Sequence, residues 1–236
     1  MDVVVHDFFF PGKCVPAETA SVVDGPWSKA DTSSTGAPTL AASGGLMVGT
    51  LAVTTEIENL CLYFGDVLAF DIDELIRAEF WIKASASFAA TDSLAFGMAS
   101  ARNDAIDSIT AHALFRLLGD ASTNPITCET DDGTNDNDDK AAGQVLVAAL
   151  KRFVIDFAGG VLTKGPPSLS VGGKGNVLFS MDDARGDLVP VCRGTLFDMS
   201  NYTAGLQPYV QIQKTSAATT PSFSLRRVRI TEKFAV

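Results

Sequence analysis

Short apolar segments separated by turn residues make up most of this chain. The turn signals are Asp24-Gly25-Pro26, Gly44-Gly45, Asp132-Gly133, Gly159-Gly160, Gly165-Pro166-Pro167 and Gly172-Gly173. The segments between them are rich in Val, Ile, Phe, Leu and Thr, whereas helix signals are sparse. This spacing is typical of a β-sandwich or a β-barrel, so the pattern predicts an all-β fold.

Alternation of apolar and polar side chains is clearest in IRAEFWIKASAS, residues 76–87. One face of the predicted strand carries Ile76, Ala78, Phe80, Ile82 and Ala84, and the other carries Arg77, Glu79, Trp81, Lys83 and Ser85. Successive side chains of a strand point to opposite faces, so one face is predicted to be core and the other wetter. Further strands are predicted at 3–10, 46–54, 60–64, 94–100, 111–118, 151–157, 177–181, 207–214 and 223–234.

Two segments are predicted to be loops. Residues 28–45 are rich in Ser, Thr, Ala and Gly, and residues 123–143 contain the acidic stretch ETDDGTNDNDD. Residues 144–150 fit either a helix or a strand. There is no internal repeat and no linker between two cores, so we expect one domain over 1–236, with an extended N-terminal arm at 1–15 as an open alternative.

The last third of the chain carries a family resemblance. It rests on KRFVIDFAGG (151–160), NVLFSMDD (176–183) and LQPYVQIQKTSAATTPSFSLRRVRI (206–230), supported by residues 76–100. These segments resemble the closing strands of the concanavalin-A-like, or lectin-like, sandwich. The resemblance implies a two-sheet antiparallel jelly roll whose last strand pairs near residues 3–10.

A second resemblance concerns function. HDFFF (6–10), TDSLAFGMAS (91–100), the acidic insert and KRFVIDF (151–157) resemble tailed-phage virion proteins of this fold. Such proteins decorate or cement capsids, or form parts of fibres. The resemblance implies a decoration protein on the virion surface, made in the host cytoplasm, that binds the major capsid protein and itself as a dimer or trimer. Residues 1–15 and 231–236 would be its clamping arms.

Composition narrows the range of partners. The formal net charge is −10 and the isoelectric point is about 4.6, so a basic nucleic-acid-binding face is not expected. Charged residues make up only 19%, which fits either burial in an oligomer or a large core. No apolar run approaches the roughly 20 residues of a membrane helix, and the N-terminus does not resemble a signal peptide.

The acidic stretch is the most prominent candidate site. Asp131, Asp132, Asp136 and Asp138 are weak candidates for calcium ligands, because calcium prefers oxygen donors in a turn. The EF-hand pattern fails, since placing Gly133 at its sixth position puts Cys128 and Thr130 where carboxylates belong. The alternative is a solvated acidic loop at the rim of the sandwich.

Catalytic motifs are not evident, so we expect neither enzyme activity nor a cofactor. A glycoside hydrolase of this fold needs facing carboxylates, often as Glu-x-Asp-x-x-Glu on one strand. The nearest sequence is Asp71-Ile-Asp73-Glu74, whose spacing is wrong. His6 and His112 are the two histidines, and no Gly-x-Ser-x-Gly elbow accompanies them.

Carbohydrate binding or host recognition by a lectin-like module is the alternative function, because lectin-like folds present sugars to loops or to a concave sheet. Trp27, Trp81 and Tyr63 are the candidates for stacking against a sugar, although a core position is the default interpretation for each.

The four cysteines, Cys14, Cys61, Cys128 and Cys192, lie far apart and form no CxxC pair, which argues against zinc. Buried free thiols are the default interpretation, with disulfides left open.

Overall fold

The computed structural model describes residues 3–10, 26–85, 88–119, 125–145, 149–157, 173–216 and 218–233. Strands dominate these ranges, with one short 3-10 helix at Ile106–Ser108. The strands are β1 (Val3–Phe9), β2 (Ser28–Thr32), β3 (Thr39–Ser43), β4 (Leu46–Thr50), β5 (Glu58–Tyr63), β6 (Phe70–Asp71), β7 (Leu75–Ala84), β8 (Asp92–Ala99), β9 (His112–Leu118), β10 (Pro125–Asp131), β11 (Asp136–Val145), β12 (Lys151–Asp156), β13 (Leu178–Asp182), β14 (Leu188–Val191), β15 (Gly205–Lys214) and β16 (Ser222–Lys233). The predicted all-β class is confirmed.

The strands form two antiparallel sheets. Sheet A has the order β14-β13-β12-β7-β16-β4-β3, and β1 pairs with the other half of β16. Sheet B has the order β11-β10-β9-β8-β15-β5-β2, and the short β6 pairs with the start of β15. This is the predicted two-sheet antiparallel sandwich. Each sheet therefore has an inner face toward the core and an outer face.

Strand β7 confirms the predicted division into two faces. Ala78, Phe80 and Ile82 are fully buried in the core between the sheets, whereas Arg77 and Trp81 are half-buried on the outer face. The core continues through phenylalanine rings from both sheets in edge-to-face, tilted or stacked contact, namely Phe80, Phe96, Phe115, Phe153, Phe179 and Phe197. Such rings contribute much of the apolar area that stabilises a sandwich.

The two ends of the described chain pair with each other, as the lectin-like resemblance implied. Strand β1 runs antiparallel to β16, from Val3 opposite Lys233 to Phe9 opposite Arg227. Part of each predicted clamping arm is thus strand in sheet A, and residues 1–2, 11–15 and 234–236 lie outside the described ranges.

A β-bulge in β16 changes one predicted face. Simple alternation would place Arg226 on the same face as Val228, but the register of β16 on β7 shifts between Leu225 and Arg227. A bulge inserts one extra residue, so side chains on either side of it change parity. Leu225 and Val228 are consequently both buried, and Arg226 is exposed.

The prediction of a loop at 28–45 is wrong, because the segment contains β2 and β3. Each ends a sheet and buries few side chains; in β3 only Leu40 is buried. A strand at a sheet edge needs one partner and little apolar surface, so its sequence carries a weak signal.

The prediction of a loop at 123–143 is also wrong, because most of it is the hairpin β10–β11. Ile126 and Cys128 of β10 point into the core and Glu129 points outward, which is ordinary strand alternation. Asp136, Asp138 and Asp139 lie on β11, the edge strand of sheet B, where charges are tolerated because one side of the strand faces solvent. Of the ambiguous residues 144–150, the first two end β11 and 146–148 lie outside the described ranges.

A completely buried ion pair joins β15 to β5. Lys214 lies directly opposite Glu58, and its Nζ is 3.4 Å from Glu58 Oε1 with both side chains 0% exposed. Lys214 Nζ also donates to the carbonyl oxygens of Ala52, Thr54 and Thr219. Glu58 accepts the amide of Ala52 at 2.8 Å. Both charges are therefore held by several hydrogen bonds, as burial requires.

Within the described ranges, no helix has the length and apolar character needed to cross a membrane.

Candidate functional site on the outer face of sheet B

The middle of sheet B's outer face is covered by the chain's own loop, residues 100–111. Ile106 and Ile109 of this loop pack on side chains that project outward from four strands. This second apolar cluster, separate from the main core, consists of Cys61, Ala95, Ala99, Ile106, Ile109, Leu114 and Tyr209. Loop 100–111 is thus a small additional layer on the sandwich, and it occupies surface that a ligand would otherwise reach.

Hydrogen bonds and an ion pair attach loop 100–111 to strands of sheet B. The Tyr209 hydroxyl donates to the carbonyl of Asn103 at 3.1 Å, and Gln211 Nε2 donates to the carbonyl of Asp104 at 3.0 Å. Further along the loop, Arg116 pairs with Asp107 at 2.5 Å.

A buried carboxyl group lies beside this loop. Glu129 projects from the outer face of β10 and its side chain is only 1% exposed. His112 Nε2 is 3.8 Å and an Arg116 amino group 3.5 Å from its two oxygens. Neither oxygen accepts a hydrogen bond from the described residues, and His112 Nε2 has no such partner either.

Burial affects the pKa values of Glu129 and His112 more than their charged or hydrogen-bonding neighbours do. Burial raises the pKa of Glu129 to about 7, against the opposing effect of the Arg116 charge. Burial also lowers the pKa of His112, although a hydrogen bond to the Ile109 carbonyl and the acidic neighbours act in the opposite direction. Glu129 can therefore hold a proton near neutral pH, which is a property of general acids and of pH-sensitive groups.

Sequence reasoning missed Glu129 and chose a different acidic segment. Glu129-Thr130-Asp131 matches the first half of the Glu-x-Asp-x-x-Glu pattern on one strand, but Thr134 stands where the second glutamate belongs. Asp71 instead ends β6 and accepts the amide of Asp73 in a turn at 2.9 Å. Treating residues 125–131 as an alternating strand would have placed Glu129 on an outer face.

The four calcium candidates lie at the turn of the β10–β11 hairpin. Asp131 and Asp136 face each other across the two strands, and burial, with a hydrogen bond to Asp136, raises the pKa of Asp138. Asp132 accepts amide hydrogens from Thr134, Asn135 and Asn201, so its oxygens face N–H donors. No group of three or more His, Cys, Asp or Glu side chains in the described ranges is arranged to hold a metal ion. Calcium binding here stays a prediction.

An open cleft of about 810 Å³ lies where the β2–β5 edge of sheet B meets loop 100–111. Its lining is polar apart from one aliphatic side chain, and comprises Asp31, Thr32, Ser33, Ser34, Glu56, Ile57, Asn59 and Asp104. Hydrogen bonds from Ser34, Thr35 and Gly36 hold Glu56 in place and lower its pKa to about 2. Asn59 Nδ2 donates to Thr32 Oγ1 at 2.9 Å. Ile57 is 65% exposed.

The structure separates the three aromatic residues proposed for sugar stacking. Trp27 is 1% exposed and packs edge-to-face on Phe64 in the core, so its ring is not available. Trp81 lies on the outer face of sheet A, where the Arg227 guanidinium covers its ring at 4.7 Å. Tyr63 is half-buried against the second apolar cluster. None of the three lines the cleft.

Comparisons with known proteins identify the fold. No protein-family model matches the chain, and no curated protein matches it in sequence. Among solved structures, peanut lectin aligns with a TM-score of 0.58 at 9% identity, covering 100% of both chains. The carbohydrate recognition domain of Emp47p aligns with a TM-score of 0.56 at 10% identity, covering 93% of this chain and 95% of that one.

A third similar structure is an enzyme. SCLam, a non-specific endo-β-1,3(4)-glucanase of family GH16, aligns with a TM-score of 0.57 at 11% identity, covering 99% of this chain and 92% of that one. Identities this low show the fold alone, and this fold carries both binding and hydrolysis. The chain therefore has the concanavalin-A-like, lectin-like jelly-roll fold.

Proposed function

We propose that this protein is a carbohydrate-binding module whose site is the cleft between the β2–β5 edge and loop 100–111. The observation that carries the proposal is the composition of that cleft. It places two carboxylates, Asp31 and Asp104, and the amide of Asn59 around an exposed aliphatic side chain, Ile57. Carboxylates and amides bind sugar hydroxyls, and an apolar side chain packs against the C–H face of the ring.

Preorganisation of the cleft supports this proposal. Glu56 is fixed by the amides of Ser34, Thr35 and Gly36, and it holds the 33–36 turn against the β5 edge. Lys29 pairs with Asp31 at 2.9 Å. A site whose polar groups are already oriented loses less entropy when it binds a ligand. Lectin-like structural relatives include a carbohydrate recognition domain, which agrees with this use of the fold.

Features of the outer face favour binding over hydrolysis. Glu129, the carboxyl with a pKa suited to proton transfer, is closed off beside loop 100–111, and Thr134 replaces the second glutamate of the hydrolase pattern. A retaining glycosidase needs two carboxyl groups about 5–5.5 Å apart and open to the substrate.

A glycan array with the purified protein tests the proposal, followed by calorimetric titration of any sugar retained. Ile57→Ala and Asp104→Asn should each weaken binding about five- to thirtyfold, since each removes about 1–2 kcal/mol of contact or hydrogen bonding. Val53→Ala is the matched control, because Val53 is similarly exposed at 71% and does not line the cleft. Absence of any retained glycan, or equal loss in all three variants, contradicts the proposal.

A second proposal is a capsid-decorating role on the virion surface, after synthesis in the host cytoplasm. It rests on β1, a strand of sheet A whose outward side carries the exposed apolar residues Val3, Val5 and Phe9. Exposed apolar residues grouped on one strand suit contact with another protein, either the major capsid protein or a second copy of this chain. Capsids with and without the protein should differ in heat stability, and light scattering should give a dimer or trimer. Equal capsid stability contradicts the role.

A further inference from the structure

Two cysteines that are far apart in sequence meet where the edges of the two sheets adjoin. Cys128 lies in β10, next to the edge strand of sheet B, and points into the core. Cys192 directly follows β14, the edge strand of sheet A, and packs against the same core from outside. Both are free thiols in this structure.

The geometry around Cys192 directs its sulfur toward Cys128. Cys192 Sγ donates to the carbonyl of Lys140 at 3.2 Å, and Lys140 is the residue directly opposite Cys128 in the β10–β11 pair. The two side chains also hydrogen-bond each other. Cys192 has a φ of 56°, an unfavourable left-handed value for a residue other than glycine, within a turn closed by the amide of Thr195. Surrounding contacts must therefore hold this conformation.

We propose that Cys128 and Cys192 form a reversible disulfide that joins sheet B to sheet A. Cys192 is half-buried and reachable by a small oxidant, whereas Cys128 is fully buried beside it. The hydrogen bond from Cys128 lowers the pKa of Cys192, and burial raises that of Cys128. Cys192 is thus the attacking thiol and Cys128 the resolving one.

The oxidation proceeds by thiol–disulfide exchange with a low-molecular-weight disulfide such as oxidised glutathione. The Cys192 thiolate attacks one sulfur of the oxidant, which forms a mixed disulfide and releases one glutathione thiolate. Cys128 then loses its proton and attacks Cys192 Sγ, so the second glutathione leaves and the Cys128–Cys192 bond forms. Two protein thiols are oxidised, and two electrons reduce one glutathione disulfide to two thiols.

The test uses the full chain, fully reduced and then equilibrated with oxidised glutathione. Free thiols should fall from four to two, and peptide mass spectrometry should find Cys128 linked to Cys192. The thermal midpoint should rise by several degrees and return on reduction, because the bond restricts the unfolded chain. Cys61→Ser, a buried cysteine on the other side of sheet B, is the matched control and should still form the bond.

Cys192→Ser should abolish the linked peptide and the thermal shift, and this variant changes a half-buried side chain that is easily replaced. Cys128→Ala serves as the second variant. A stable glutathione adduct on Cys192 without linkage to Cys128 overturns the proposal, as does linkage through Cys14 instead or a thiol count that stays at four. The outcome is independent of whether the cleft binds sugar.

Discussion

Glu58 and Glu129 are both buried glutamates, yet their surroundings differ in kind. Glu58 lies between the sheets opposite Lys214, and backbone amides and carbonyls complete the hydrogen bonding of the pair. Glu129 lies on the outer face of sheet B beside a cation and an imidazole, and its oxygens accept no hydrogen bond from the described residues. Both charges of the buried Glu58–Lys214 pair have hydrogen-bond partners, whereas the carboxyl oxygens of Glu129 have none among the described residues.

This difference separates structural from pH-sensitive charge. A buried ion pair with complete hydrogen bonding is hard to replace at one end, because the remaining charge loses its partner inside the protein. A buried carboxyl without donors avoids this problem by keeping its proton, which makes its protonation responsive to small changes in pH. Glu58–Lys214 should therefore matter most to stability, and Glu129 to how stability varies with pH.

Breaking the Glu58–Lys214 pair is expected to have the largest effect. Lys214→Met leaves the Glu58 carboxylate buried without its cation and should lower the free energy of unfolding by about 3–5 kcal/mol at pH 7.5, measured by urea denaturation. Adding Glu58→Gln should recover part of this loss. Lys83→Met, on the outer face of sheet A, is the control. A loss below about 1 kcal/mol in Lys214→Met would show that the pair is not structurally important.

Removing the charge of Glu129 should stabilise the protein in alkaline solution. The pKa of Glu129 is raised from 4.5 to about 7 in the folded protein, so the stabilising contribution is present below pH 4.5 and is lost as the pH rises to about 7. Glu129→Gln should therefore gain on the order of 3 kcal/mol at pH 8, and much less at pH 5.

Calorimetric unfolding at pH 5, 6, 7 and 8 measures this pH dependence. Glu79→Gln, on the outer face of sheet A, serves as the control for replacing a buried glutamate by glutamine. A variant at Glu129 that is less stable than the parent at pH 8 would mean that the ion pair with Arg116 outweighs burial, contrary to the expected sign.

Loosening loop 100–111 should have a moderate effect on the free energy of unfolding and a larger effect on hydrogen exchange of the loop's own amides. Tyr209→Phe removes the hydrogen bond to Asn103 and should lower the free energy of unfolding by about 1 kcal/mol. Hydrogen–deuterium exchange of the loop amides should become several-fold faster. Tyr63→Phe removes a hydroxyl from the same face without touching the Asn103 contact. Equal exchange in both variants would show that the hydroxyl does not hold the loop.

The smallest effect is expected at Asp107. Its side chain is 72% exposed, so Asp107→Asn breaks a surface pair with Arg116 and should lower stability by only about 0.5 kcal/mol. The difference should disappear in about 1 M salt, where charges are screened within about 3 Å. A loss that persists at high salt would indicate that Arg116 depends on Asp107 for more than surface attraction.

Most strands with two neighbours could be predicted from sequence, whereas the edge strands β2, β3, β11 and β14 could not. Strand β7 follows an alternating pattern because both of its neighbours and the core select its side chains, and its faces were correctly assigned; residues 86–87 of the predicted strand lie outside the described ranges. Strand β11 carries Asp136, Asp138 and Lys140, and its pairing depends on β10 rather than on apolar residues of its own. β11 can form a strand without an apolar pattern because it lies at the edge of the sheet, where one side faces solvent and charges are tolerated.

Local sequence patterns could not predict contacts between segments that lie far apart in the chain. Glu129 is buried because loop 100–111 crosses the face of sheet B, and Cys128 meets Cys192 because two sheet edges adjoin. The cleft likewise joins β2, the turn before β5 and Asp104. Each depends on how the two sheets are stacked, a property that no short window of sequence carries. The lectin-like resemblance predicted the stacking, but not which side chains it brings together.

Loop 100–111 also limits the observed affinity of any ligand that binds the middle of sheet B's outer face. The loop belongs to the same chain and covers this surface. A ligand can therefore bind there only in molecules in which the loop has moved away. The observed affinity then equals the intrinsic affinity multiplied by the fraction of open molecules, and every 1.4 kcal/mol that favours closure weakens it tenfold. Variants such as Tyr209→Phe, which loses the hydrogen bond to Asn103, would consequently change the observed affinity at this face by changing the fraction of molecules in which the loop is open.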